Sequence, residues 1–137
     1  MKAPNFKLPY IDRPGYYQLD DDLGKIIVLT FWTSWCPYCS TDLPMKDKLY
    51  QTVDQELVKF LTINVAGRER DPNEGLRFQK NFIEQPTLVD DGLDTYRKYN
   101  CQGVPTTVII DQEGEIITQL SSATKPIDLV EAISPFI

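Results

Sequence analysis

The chain has 137 residues, 42% of them hydrophobic and 25% charged, and a formal net charge of −6. That length holds one domain with a real core, and the ordinary composition excludes a disordered or fibrous protein. Lys and Arg are scattered, so the sequence offers no basic nucleic-acid patch and no polybasic membrane anchor. No apolar run approaches the ~20 residues of a spanning helix, and Met1-Lys2-Ala3-Pro4 does not read as a signal peptide. Two readings of location stay open: a cytoplasmic chain, or one that has lost an export segment before Ala3.

Residues 1–14 carry Pro4, Pro9 and Pro14 and read as an extended lead-in. Tyr16 to Leu19 reads as a short strand, followed by a turn through Asp20-Asp21-Asp22 and Gly24. Lys25 to Thr33 is nearly all apolar, as a strand buried on both faces should be. Pro37 to Tyr50 predicts a helix with Leu43, Leu49 and Val53 on one side and a kink at Pro44. Leu57 to Val65 is a second buried strand. Asp71-Pro72 opens the next helix, with Asp71 as cap and Pro72 at the first position. That helix runs to about Ile83, with Leu76, Phe78 and Phe82 as its apolar residues. Pro86 to Val89 predicts a short strand and Leu93 to Tyr99 a short helix. Thr106 to Ile110 and Glu115 to Gln119, joined through Asp111 to Gly114, predict a hairpin. Pro126 to Ile133 is the closing helix, with Thr124 or Lys125 near its start. Strands alternating with helices, then a hairpin and helix, predict an α/β sandwich with a mixed sheet in a single domain over 1–137.

Trp35-Cys36-Pro37-Tyr38-Cys39 carries the chemistry. It falls at a predicted strand-to-helix turn, with Cys36 at the helix start. Free N–H groups and the helix dipole there favour negative charge, so the Cys36 thiol pKa is expected below the free value of about 8.5. Cys36 is expected to be the exposed nucleophile, and Cys39, one turn along, the buried thiol that resolves a mixed disulfide. The competing reading of C-x-x-C is half of a zinc site. The chain has three cysteines and no histidine, and a closed tetrahedral site needs four such ligands. No metal and no organic cofactor is expected. Cys101 reads as a buried small hydrophobe, with a third redox thiol as the alternative. Trp32 reads as core and Trp35 as a half-exposed platform for substrate.

The order of elements and four separated motifs resemble the thioredoxin fold, and within it the TlpA/ResA-type thiol–disulfide oxidoreductases of bacteria. The motifs are Ala3-Pro4-Asn5-Phe6; Leu23-Gly24-Lys25 with Phe31-Trp32-Thr33-Ser34-Trp35-Cys36; Pro44; and Gly103-Val104-Pro105-Thr106-Thr107. The resemblance implies a thioredoxin-like three-layer α/β/α sandwich. It also implies that Gly67 to Asp91 is an inserted strand and helix, and that Pro105 follows a cis bond and faces the cysteines. By itself, a proline heading a strand cannot donate to the ladder and belongs at an edge or in a loop, and a plain trans turn proline is the alternative.

Two positions depart from thioredoxin. Thr30 stands where thioredoxins carry a buried Asp, so any proton transfer must be absent or supplied elsewhere. Pro37-Tyr38 resembles the glutaredoxin dipeptide, which implies a couple less reducing than thioredoxin's roughly −270 mV. Asp42 fits an acid that ResA-like proteins keep near the cysteines, with a first-turn acid favoured by the helix dipole as the alternative. The resemblance implies an oxidoreductase that exchanges the Cys36-Cys39 dithiol with protein partners, expected to act as a reductase and as a monomer. Trp35, Pro37, Tyr38, Asp42, Val104 and Pro105 would support it. Its electrons would come from a dithiol donor, in this family usually a membrane protein, and its expected place is outside the cytoplasm, anchored through a segment absent from this sequence. A glutathione-coupled glutaredoxin, a non-enzymatic thioredoxin-like binding module and a metal carrier are the rival classes.

Overall fold

Seven strands and four helices follow one another in a computed structural model that describes residues 1–121 and 124–137. Strands β1 (Lys7–Pro9) and β2 (Tyr16–Gln18) form an antiparallel hairpin. Then come β3 (Ile26–Trp32), α1 (Pro37–Thr52), β4 (Val58–Asn64), α2 (Pro72–Phe82), β5 (Thr87–Val89), α3 (Asp94–Lys98), β6 (Thr106–Ile110), β7 (Ile116–Leu120) and α4 (Pro126–Ile133). The five-stranded sheet has the order β5-β4-β3-β6-β7. Strand β4 runs parallel to both β3 and β5, while β6 is antiparallel to both β3 and β7. The sheet is mixed, as predicted, because the β3–α1–β4 crossover is helical and the β6–β7 connection is a tight turn.

All seven residues of β3 are buried, which places it at the sheet centre and explains its unbroken apolar run. Alternate side chains feed two cores. Ile27, Leu29 and Phe31 join Phe6, Tyr17, Tyr96 and Tyr99 on one face. Ile26 and Val28 join Leu129 and Ile133 of α4 on the other. The β1–β2 hairpin and α3 cover the first face; α1, α2 and α4 cover the second, giving three layers.

Part of the lead-in is a strand. Leu8 and Tyr17 pair across the hairpin, and both are buried. Alternation was masked because β1 has three residues and ends on Pro9. The segment from Gly67 to Asp91 holds its helix first and its strand second: α2, then β5 at the sheet edge. Helix α1 runs through Pro44 to Thr52; Pro44 has no N–H for the preceding turn. Phe82, expected on the apolar side of α2, is 56% exposed, while Gly75 and Gln79 are buried. Phe78 does the covering: its ring lies 5.1 Å from that of Trp32, and Phe82 hangs past the end of that contact.

Candidate active site

Strand β3 carries the chain to one end of the sheet, and α1 starts after a short turn beyond it. Cys36 is the N-cap of α1 and Pro37 its first residue, so the proline's missing N–H is one that would have had no helical partner. The Cys36 Sγ accepts a hydrogen bond from the Cys39 N–H at 3.2 Å. In the other direction the thiol donates to the Val104 carbonyl at 3.6 Å. Cys36 therefore lies between the helix terminus and the loop before β6. The Val104–Pro105 bond is cis, as the resemblance implies, and Pro105 sits buried in that loop rather than on a sheet edge.

Cys36 is 3% exposed, where a solvent-facing thiol was expected. The Val104 carbonyl lies against the sulfur, and Val104 packs on the cluster that holds Cys36. Cys39 is completely buried, packed with Trp32, Leu43 and Ile83. Burial pushes its thiol pKa up, aided by the bond with Cys36 and by the charges of Cys36 and Asp42. The two thiols, both free, thus occupy different surroundings: one faces a backbone carbonyl at the mouth, the other faces the core.

The mouth is lined by residues of both kinds expected. Trp35 is 42% exposed and Tyr38 is more so, Pro37 is exposed, and Trp32 is fully buried. Cys101 is buried, and desolvation pushes its thiol up to about 12. Sequence reasoning missed what holds the turn. Glu69, just past β4, accepts from the Ser34 N–H at 2.7 Å and the Ser34 hydroxyl at 2.6 Å. It also accepts from Asn64 Nδ2 at 2.7 Å, and the Trp35 indole donates to the Arg68 carbonyl at 2.8 Å. Gly75 matters here because a Cβ would collide with the Asn64 side chain; its absence lets α2 close over the strap.

Asp42 corrects the first-turn alternative. It lies in the second turn of α1 and is 1% exposed. One oxygen accepts from the Thr124 N–H at 2.8 Å and the other pairs with Lys46 Nζ at 2.6 Å. Lys46 has no exposed surface. It donates further to Thr30 at 2.8 Å and to Thr107 at 2.6 Å. The place of the missing thioredoxin Asp is thus filled by a hydroxyl bound to a buried cation. The available signal was spacing: Cys39, Leu43 and Lys46 share one helical face, and a lysine there belongs to the buried stripe.

Comparison with known proteins agrees with this geometry. The AhpC/TSA family model matches residues 1–119. Thiol-disulfide oxidoreductase ResA of Geobacillus kaustophilus is 30% identical over 97% of this chain and 76% of its own length. Sporulation thiol-disulfide oxidoreductase A of Bacillus subtilis is 31% identical over 68% of this chain; the matched region spans 57% of that relative. The crystal structure of the exposed lipoprotein thioredoxin Etrx1 of Streptococcus pneumoniae superposes with a TM-score of 0.85 at 26% identity, covering 96% of this chain and 99% of that one. The chain belongs to the AhpC/TSA family and, within it, to the thioredoxin-fold thiol–disulfide oxidoreductases that resemble ResA.

Proposed function

We propose that this chain reduces disulfides in partner proteins through Cys36 and Cys39. The observation that carries this reading is the asymmetry of the pair. Cys36 Sγ caps a helix beside the Val104 carbonyl and next to the exposed Trp35, Pro37 and Tyr38, and Cys39 lies fully buried behind it. Cys36 as thiolate attacks one sulfur of the partner's disulfide, and the other partner sulfur leaves as a thiolate. Cys39 then attacks Cys36 Sγ, the mixed disulfide breaks, and the second partner thiol departs. Two electrons have moved from the Cys36–Cys39 dithiol to the partner. Asp42, three residues along the same buried face, takes the Cys39 proton.

A partner segment bonded to Cys36 must lie along the Val104 backbone, since that carbonyl is 3.6 Å from the sulfur. Trp35, Pro37 and Tyr38 form the other side of the mouth, and Pro105 supports the loop. The reduced state is restored by a second dithiol, for which a membrane protein facing outward is our reading. The similar pneumococcal protein is described as an exposed lipoprotein, which supports a place outside the cytoplasm for this chain too. Among the described residues no helix is long and apolar enough to cross a membrane. We take the working form to be a monomer.

Trapping tests the division of labour. Cys39→Ser should accumulate mixed disulfides with partner proteins, separable on non-reducing gels, and Cys36→Ser should not. Equal trapping by both variants, or trapping by the second alone, would overturn the assignment.

A further inference from the structure

A lysine without exposed surface lies under the cysteines, and the proposed exchange chemistry does not by itself call for it. An ammonium group has three N–H donors, and all three are used: on Asp42 at 2.6 Å, Thr30 at 2.8 Å and Thr107 at 2.6 Å. Thr30 and Thr107 face each other across β3 and β6, so the sheet supplies two hydroxyl acceptors at fixed positions. Thr107 also bonds the Thr124 hydroxyl at 3.2 Å, and the Thr124 N–H reaches Asp42. The result is a closed polar ring in the core that leaves Asp42 and Lys46 one arrangement.

A carboxylate in this fold does not need a cation to be buried. Asp47, one turn further along α1, is held by three neutral donors: the Glu84 and Gln85 N–H groups and the Gln85 amide. A neutral side chain at position 46 would also spare the fold the desolvation of an ammonium. What distinguishes the Asp42 end of the helix is its neighbour, Cys39, on the same face. Cys36, Cys39 and the solvent-exposed Tyr38 are the other titratable groups at that end of α1. From β3, β6 and the segment before α4 the pair meets hydroxyls and one amide N–H among the described residues. Burial pulls the Lys46 ammonium pKa down, and the charges of Asp42 and Cys39 oppose that pull.

We propose that Lys46 is a positioning residue for the resolving step: its ammonium holds the Asp42 carboxylate in place and charged beside Cys39. This rests on the exchange reading given above. In that step the Cys39 proton passes to Asp42 as the Cys39 sulfur bonds to Cys36 Sγ. The bond from Cys36 Sγ to the partner sulfur breaks, and the partner leaves as a thiolate with the bonding pair. Without Lys46 the buried carboxylate carries its charge unopposed; it then either stays protonated or repels the forming Cys39 thiolate. Either outcome demands a higher pH for the same rate.

Dithiobis(nitrobenzoate) resolves the two steps. Cys36 attack releases one coloured thiolate, and Cys39 attack on the resulting mixed disulfide releases a second. Lys46→Met should leave the first phase within twofold of wild type. It should slow the second about tenfold at neutral pH and move its midpoint up by about one pH unit. In an Asp42→Asn background, itself slow in the second phase, Lys46→Met should add less than twofold. An unmoved midpoint in Lys46→Met, or an equal slowing in the Asp42→Asn background, would overturn the role of Lys46. Should Lys46→Met fail to fold, wild-type Asp42 can be followed by its carboxyl carbon resonance. A protonated Asp42 across the pH range where the second phase is fast would overturn the proposal as well. A wild-type protein that releases a single thiolate would sink the exchange reading and this role together, whereas normal wild-type release with an unaffected Lys46→Met sinks the role alone.

Discussion

Asp42 and Asp47 are two buried carboxylates on one helix, and the protein solves the same problem twice in different ways. Asp47 gathers three neutral donors from the corner that leads into β5. Burial still pushes its carboxyl above the usual range, while those hydrogen bonds pull it back. Asp42 has one backbone donor and a lysine. The first solution fixes a corner; the second places opposite charges beneath Cys39. The lesson is that a buried charge pair at a redox site is not required by burial alone, because a neutral alternative exists a turn away.

Stability should separate the two most sharply. Removing one partner of a buried ion pair strands the other, at a cost of about 3–5 kcal/mol. Asp42→Ala and Lys46→Met should each shift urea unfolding by that amount at unchanged m-value. The double variant Asp42→Asn, Lys46→Met should recover most of the loss, since no charge is left unpaired. A double variant as unstable as the singles would show that the hydroxyl ring, not the charge pair, carries the stability. Asp47→Ala should cost less, about 1–3 kcal/mol, because it leaves buried N–H groups of neutral character unpaired. Its rates of thiol exchange should match wild type. A loss of exchange activity there would erase the functional contrast between the two acids.

The pH dependence should differ in range as well as in origin. Burial raises the folded pKa of Cys39 above the unfolded value of about 8.5. A raised pKa favours the protonated form in the fold, so that contribution is complete below about pH 8.5 and fades as pH climbs toward the folded value. Reduced wild type should therefore lose stability relative to Cys39→Ala in alkaline titrations. Asp47 follows the same sign at the acidic end: its contribution is complete below about pH 3.9 and is lost as pH rises through its folded value. Asp47→Asn should gain on wild type across that rise. Flat differences in either range would remove the corresponding burial effect.

The smallest effect belongs to Glu69, which like Asp47 is held by neutral donors. It is only partly buried, so Glu69→Gln should cost about 0.5–1.5 kcal/mol. Because Glu69 braces Ser34 next to Trp35, indole fluorescence should change with it. A spectrum and a melting point identical to wild type would leave the strap without weight.

Cys36, Pro37 and Cys39 were legible in the sequence because a thiol pair at a strand-to-helix turn is encoded within a few residues. The same holds for β3, β4 and β6 with their apolar runs, for α2 with its Asp71-Pro72 start, and for α4 with its span from Pro126. These signals are local: spacing, caps and periodicity act over one or two turns. Strand β2 was legible as Tyr16 to Leu19, but its partner β1 was not, since three residues carry too little alternation and Pro9 argued against a strand. The exposure of Cys36 was misjudged for a related reason: its cover comes from Val104, 68 positions away in the chain.

Sequence alone therefore determined the chemistry at hand, a dithiol at a helix start on a mixed-sheet scaffold, because helix geometry ties those residues together wherever the helix goes. Tertiary structure alone decided what surrounds each thiol. Glu69 reaches Ser34 across 35 positions, Lys46 reaches Thr107 across 61, and Asp42 receives the Thr124 amide across 82. Residues so far apart meet only once the sheet order β5-β4-β3-β6-β7 is set. Helical spacing puts Lys46 on the buried stripe of α1, but its hydroxyl partners Thr30 and Thr107 arrive only when β3 and β6 pack against that stripe.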